Sequence, residues 1–180
     1  KTILLATFIF SLGHNMMYTY ISPYLITSLD SRFISTFLLV FGVMAVISII
    51  ITGVFIDKHL KLLTLCGLSL FIMSSLIFSM FFDNVYFVMS GAFLWGLGFG
   101  GGATLFQTAS ARTAGNAADI AQSLMVTIWN MAIAGGGLAG GLLLDQFGIL
   151  SLPVVLTALL IFCLFIVNRS KAQGFSRILN

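Results

Sequence analysis

Long uncharged runs of apolar residues alternate along the chain with short segments that hold nearly all of its charge. The runs fall at 2–26, 34–56, 62–82, 85–107, 120–144 and 152–167. Each is close to the roughly 20 residues a helix needs to cross the hydrocarbon core of a bilayer. The five acidic residues are all aspartates (Asp30, Asp57, Asp83, Asp119, Asp145), and neither they nor the eight Lys and Arg stand at the middle of a run. A charge there would cost about 3 kcal/mol on insertion. The pattern predicts an all-α integral membrane fold of six transmembrane helices, a single domain over 1–180.

Cations set the orientation, because short loops rich in Lys and Arg stay in the cytoplasm. Counting alternate sides places Lys1, Lys58, Lys61, Arg112, Arg169, Lys171 and Arg177 on one face and Arg32 alone on the other. Both ends are therefore expected on the cytoplasmic side, with the inner (plasma) membrane as the setting and the lipid bilayer as first partner. Composition agrees: 59% of the 180 residues are hydrophobic, 7% are charged and the mean hydropathy is +1.13, against roughly 25% charge in soluble domains. The net charge of +3 reflects this sidedness, and no basic stripe points to nucleic acid. Cys66 and Cys163 lie inside apolar runs and read as small hydrophobes rather than a disulfide. The first run is too long for a signal-peptide core and ends in Tyr20-Ile-Ser-Pro-Tyr-Leu25 rather than at a small-residue cleavage site. The chain begins at Lys1 directly against a run, which suggests a fragment.

The second run ends in Gly53-Val-Phe-Ile-Asp57 and the fifth in Gly141-Leu-Leu-Leu-Asp145. Both read Gly-x-x-x-Asp, and the counting above puts them on opposite faces. Two three-helix units of opposite orientation would produce this, and inverted three-plus-three repeats recur in secondary transporters.

Polar residues inside the runs form stripes. Ser11, His14, Asn15, Tyr18 and Ser22 fall within about one third of the helix circumference at roughly 100° per residue. The fourth run repeats this with Ser90, Gly101, Thr104, Gln107 and Thr108, and the fifth with Ser123, Thr127, Asn130, Gly137 and Gly141. Such faces avoid lipid by turning into a bundle or a water-filled cavity. Hydroxyls can instead bond across packed helices or to their own backbone, so the larger His14, Asn15, Tyr18, Gln107 and Asn130 are the candidates for a cavity lining. Runs one, four and five would line a path, and runs three and six would face lipid. The imidazole of His14 could exchange a proton or act as a neutral hydrogen-bonding group. No carboxylate stands inside a run, and no residue set suggests a metal or another cofactor.

Gly96-Leu-Gly-Phe-Gly-Gly-Gly102 and Gly135-Gly-Gly-Leu-Ala-Gly-Gly141 carry small-xxx-small spacings, Gly98 with Gly102 and Gly137 with Gly141, that let helix backbones approach closely. Gly96-x-Gly98-x-x-Gly101 also matches the dinucleotide fingerprint, but it follows no strand and opens no phosphate-binding helix. Asn168-Arg-Ser170 matches a glycosylation acceptor at an end expected in the cytoplasm, where it carries no weight.

The stretch Gly13-His-Asn-Met-Met-Tyr-Thr-Tyr-Ile-Ser-Pro-Tyr-Leu25, the loop Gly53-x-x-x-Asp57-Lys58-x-x-Lys61, and the segment from Trp95-Gly-Leu-Gly-Phe99 through Gln107 to Asn130 resemble the major facilitator superfamily. More narrowly they resemble helices seven to twelve of its drug and sugar efflux branch, the arabinose-efflux-permease-like proton antiporters. The resemblance implies a missing N-terminal six-helix half, with a small organic substrate held between the halves and protons as a coupling partner. It further implies that Gly53 permits close helix contact, that Asp57 pairs across a cytoplasmic gate, and that Lys58 and Lys61 supply cations there. The sequence departs from the family pattern at Leu60, where glycine is common. Two other classes compete. A stand-alone six-helix channel or assembly module would need symmetric oligomers. A rhomboid-type intramembrane protease would need a Gly-x-Ser-Gly site and a histidine in the last run, and here Val88-Met-Ser90-Gly91 and a histidine-free last run oppose it.

Overall fold

The computed structural model describes residues 1–29, 31–170 and 175. Asp30, Lys171 and Arg177, which entered the charge count, lie outside the described residues. Those described form seven α-helices and two short 3-10 turns, with no strand among them: α1 (Thr2–Thr19), α2 (Ile21–Ser28), α3 (Ile34–Met80), α4 (Val85–Phe99), α5 (Gly102–Ala114), α6 (Ala118–Phe147) and α7 (Ser151–Arg169). Three helical stretches, 31–80, 85–147 and 151–169, are long and apolar enough to cross a membrane.

Two of the apolar runs are interrupted. The first breaks between α1 and α2 at Tyr20 (φ −108°, ψ 17°). Pro23 explains the position, since its ring lacks an N–H and collides with the carbonyl four residues back, that of Thr19. The fourth breaks between α4 and α5 at Gly100-Gly101. There the Ser48 hydroxyl enters the helical ladder, donating to Leu97 O at 2.7 Å and accepting from the Gly101 N–H at 3.0 Å. In an unbroken helix that N–H would bond Leu97 O itself, and side-chain insertion of this kind bends helices.

The 47-residue α3 is two arms. His59 has non-helical angles (φ −129°, ψ 26°), and the chain doubles back there. Phe37 and Phe78 would stand about 60 Å apart on a straight helix, yet their ring centroids are 5.9 Å apart. Contacts give the direction of the other helices. Ser74 donates to Gly91 O and a Cβ on Gly98 would touch Gly67 O, so the second arm runs antiparallel to α4. Lys61 reaches Asn168 O and Ser75 reaches Pro153 O, so it is antiparallel to α7 as well. Helix α1 lies parallel to α6, Leu12 against Gly136 and Tyr20 against Gly140, and antiparallel to α7, with the Cys163 thiol on Ala6 O.

The third run, expected to face lipid, instead buries one whole side. Thr64, Leu68, Phe71, Ser74, Ser75 and Phe78 are covered by its neighbours. Its serines form no single stripe because they serve two neighbours: Ser74 bonds α4, while Ser75 bonds Pro153 O and Thr157 of α7.

Glycine governs the closest approaches. A Cβ on Gly98 would stand 2.6 Å from Gly67 O, and one on Gly102 would stand 2.5 Å from the Phe10 ring. On α6 the close-packed pair is Gly136 and Gly140. A Cβ at Gly136 would meet Leu12 O at 2.7 Å and one at Gly140 the Tyr20 ring at 2.7 Å. Gly137, expected to pack, has open space on its Cβ side and packs by its carbonyl instead, accepting from Tyr20 OH at 3.0 Å. Gly141 meets only the Tyr20 side chain, its OH 2.8 Å from a built Cβ. Both pairs are spaced by four, so sequence spacing does not distinguish faces only 100° apart.

Candidate functional site

The polar residues singled out in the sequence separate into three places. His14 is buried among aromatic rings at the centre of the bundle. It stacks on Phe99 (centroids 3.3 Å, 5° between planes), and its Nδ1 accepts from Trp95 Nε1 at 3.2 Å. Trp95, fully buried, also packs on Phe41 at 5.0 Å and Phe71 at 5.8 Å. Tyr18 lies one turn along α1, stacked 5.2 Å from His14 and itself 43% exposed. Thus Tyr18 joins the aromatic cluster to the outside, while His14 holds α1 to α4 from within. Asn15 points elsewhere on α1: its Nδ2 donates to Ser11 O at 2.8 Å, and its Cβ abuts Gly136 of α6.

Gln107 and Asn130 come together. They line one cavity of about 240 Å³ between α5 and α6, with Ala103, Met125, Val126 and Trp129. Gln122 Nε2 fixes the two helices there by donating to the Gln107 backbone carbonyl at 3.4 Å. The side-chain amides of Gln107 and Asn130 and the indole N–H of Trp129 make no hydrogen bond among the described residues. Nearby hydroxyls are self-satisfied: Thr127 bonds Ser123 O and Ser123 bonds Ile120 O. Trp129 escaped the sequence reading because a lone tryptophan in an apolar run looks like packing; its place beside Asn130 was the available signal.

The third place is the reversal of α3. Asp57, Lys58 and Lys61 border an open cavity of about 340 Å³ with His59 and Arg112. Arg112 Nη2 donates to Asp57 Oδ1 at 3.2 Å, the two side chains being 18% and 91% exposed. Lys61 spends its ammonium on Asn168 O at 3.0 Å. Arg112 had been counted only as a topological charge; its pairing with Asp57 depends on how α5 ends beside the reversal. Gly53 has nothing within 4 Å of a built Cβ, so it makes no close helix contact among the described residues. Among the described residues no three His, Cys, Asp or Glu side chains gather as a metal site.

A helical bundle with outward aliphatic faces, two helix breaks and a patch of unsatisfied amides defines a multi-pass membrane protein. Residues 3–177 match the family model described as Major Facilitator Superfamily, and the chain belongs to that superfamily of transporters. It is 28% identical over 158 residues to a probable sugar efflux transporter of Helicobacter acinonychis (strain Sheeba), covering 87% of this chain and 40% of that protein. It is 29% identical over 155 residues to a protein of the same name from Helicobacter pylori (strain J99), covering 85% and 40% respectively. The chain spans about 40% of the length of these curated relatives.

Proposed function

We propose that this chain is the C-terminal six-helix half of a twelve-helix secondary transporter that expels a small organic solute, driven by protons, through alternating access. The observation that carries the reading is the patch of uncommitted amides on α5 and α6, in a chain whose other outward faces are largely aliphatic. Unsatisfied amides are tolerated at membrane depth where they line a water-filled path. Within the superfamily that path lies between two six-helix halves. The naming of the relatives as sugar efflux transporters, and the share of their length that is matched, support the same reading.

In this reading α1 with α2, the two arms of α3, α4 with α5, α6 and α7 are six membrane crossings in an inverted three-plus-three arrangement. Support comes from the two Gly-x-x-x-Asp copies. Asp57 lies at the end of the bundle where Lys61 meets Asn168, and Asp145 lies at the end where Ser75 meets Pro153 and Ser151 bonds Leu143 O. The surplus of cations at the Asp57 end supports a cytoplasmic setting for that end and for both termini of this segment. Asp57, Lys58, Lys61 and Arg112 would then form the charged side of the cytoplasmic gate, where Gly53, open on its Cβ side, leaves room for the other half. His14 serves as an acceptor that orders the helices around Trp95.

The test is flux in proteoliposomes containing the whole gene product, with a pH gradient imposed by dilution. Solute movement that follows the gradient and stops when an ionophore collapses it is the expected result. Flux that ignores the gradient would favour a channel and overturn the coupled mechanism.

A further inference from the structure

We propose that a cavity enclosed by both arms of α3 and the α4–α5 break is a binding site for a small neutral amphiphile drawn from the bilayer, a single-ring or short-chain alcohol, whose occupancy stiffens the break. Its walls all belong to this chain, so the site stands independently of the transporter reading above.

The space is about 170 Å³, with Ser48 and Thr52 on the first arm, Cys66 and Leu70 on the second, and Gly101 and Leu105 at the break. Two tight contacts pin these elements around it. A Cβ on Gly67 would meet Gly98 O at 3.0 Å, and one on Gly101 would collide with the Thr52 hydroxyl. An engineered aliphatic and aromatic cavity of about 150 Å³ accommodates benzene in another protein, so a single ring fits here. No residue lining the cavity is charged, which selects a neutral molecule.

Thr52 supplies the polar end. It is 4% exposed, and its hydroxyl makes no hydrogen bond among the described residues. Ser48, the other hydroxyl on the wall, already donates to Leu97 O and accepts from the Gly101 N–H. Water answers the need poorly, because a buried water calls for about two to four polar partners, and beyond Thr52 the side chains of the wall add only the weakly bonding Cys66 thiol. An apolar body carrying one hydroxyl meets Thr52 and the aliphatic wall together.

Position gives the route of entry. Ile51 and Cys66, both exposed, stand at the rim, beside the outward Ile50 and Leu62. Around α5, Leu105 is about 200° from Gln107, so the cavity lies on the far side of that helix from the amide-lined wall. Thr52 precedes the non-helical His59 by about 10 Å along the arm, which sets the mouth within hydrocarbon near the reversal. The occupant therefore arrives from lipid and not along the solute path. Ser48 and Gly101 line the same space, so an opening of the break that parts Gly101 from Thr52 dismantles the site and must first expel the ligand.

The experiment uses the whole gene product in detergent, with para-fluorobenzyl alcohol as the probe and para-fluorotoluene, its counterpart without the hydroxyl, as the comparison. Fluorine NMR titration should show saturable binding of the alcohol. Thr52→Val, nearly unchanged in shape, should weaken that binding about fivefold, the worth of one neutral hydrogen bond, and leave para-fluorotoluene unaffected. Leu70→Phe fills the space and should abolish binding of both; if that variant fails to fold, Thr52→Val carries the test alone. With the alcohol at about four times its Kd, amide exchange over 97–105 should slow about fivefold, since opening requires the empty site, while α7 exchanges as before. Absence of saturable binding, or alcohol affinity unchanged in Thr52→Val, would overturn the site. Binding that leaves exchange at the break unchanged would overturn its stiffening role.

Discussion

Two outward faces of this bundle contrast sharply. The first arm of α3 turns Leu39, Val43, Val46, Ile50, Val54 and Phe55 outward, all at least 49% exposed, and keeps Ser48 and Thr52 inside. The α5–α6 face turns Thr104, Gln107, Ser123, Thr127 and Asn130 outward as well, all of them exposed, beside Leu124 and Val126. Exposure therefore carries opposite meanings. An aliphatic face can lie against lipid or against another apolar helix at no cost. A face with unsatisfied amides cannot, because hydrocarbon offers them no partner. Within the polar face Thr127 and Ser123 bond their own helix, whereas the side chains of Thr104, Gln107 and Asn130 have no hydrogen-bond partner among the described residues and turn to water or solute.

The contrast can be broken at several strengths. The largest effect lies behind both faces: Trp95→Ala removes the ring on which Phe41, Phe71 and His14 converge and should cost about 3–5 kcal/mol, seen as a large fall in melting temperature in detergent. Arginine placed on the aliphatic face, Ile50→Arg, should cost about 3 kcal/mol in a membrane-insertion assay, whereas Thr104→Arg on the polar face should insert nearly as well as the parent. Equal penalties would mean that the two faces meet the same surroundings. Gly136→Ala should destabilise by about 1–3 kcal/mol, because its Cβ collides with Leu12 O and the Met16 N–H, while Gly137→Ala, in open space, should stay within about 0.5 kcal/mol; thermal melts compare the two. The smallest effect is expected at the reversal, where the Asp57 carboxylate is 91% exposed. Arg112→Ala should cost at most about 1 kcal/mol of stability, so any larger loss of transport in that variant reports on gating and not on folding.

The sequence made the helical runs legible because a charge is costly in hydrocarbon and so marks every boundary. It also placed Gln107 and Asn130 in one class, since buried amides are rarely silent. The breaks at Tyr20 and Gly100-Gly101 were less legible, although Pro23 and the glycine cluster were in view, because a run long enough to cross a membrane reads as one helix whether or not it bends. The Ser48 insertion pairs residues 49 and 53 positions apart, beyond any local pattern. His14 had been assigned to the cavity because an imidazole in an apolar run is conspicuous. What places it inward is the ring set Phe41, Phe71, Trp95 and Phe99, whose members come from three separate runs. Choosing Gly136 and Gly140 over Gly137 and Gly141 likewise depends on how α1 approaches α6, a tertiary fact.

The Ser48 hydroxyl has a mechanical consequence. A rod that bends inside hydrocarbon ordinarily strands a peptide carbonyl and an N–H with no water to turn to, and that penalty keeps membrane helices straight. Here both orphaned groups, Leu97 O and the Gly101 N–H, are already satisfied by a single side chain from the neighbouring rod. The joint can exist without penalty only while Ser48 stays between them. A swing of α5 that kept both bonds would carry the first arm of α3 with it, coupling the amide-lined wall on α5 to the aliphatic face of α3.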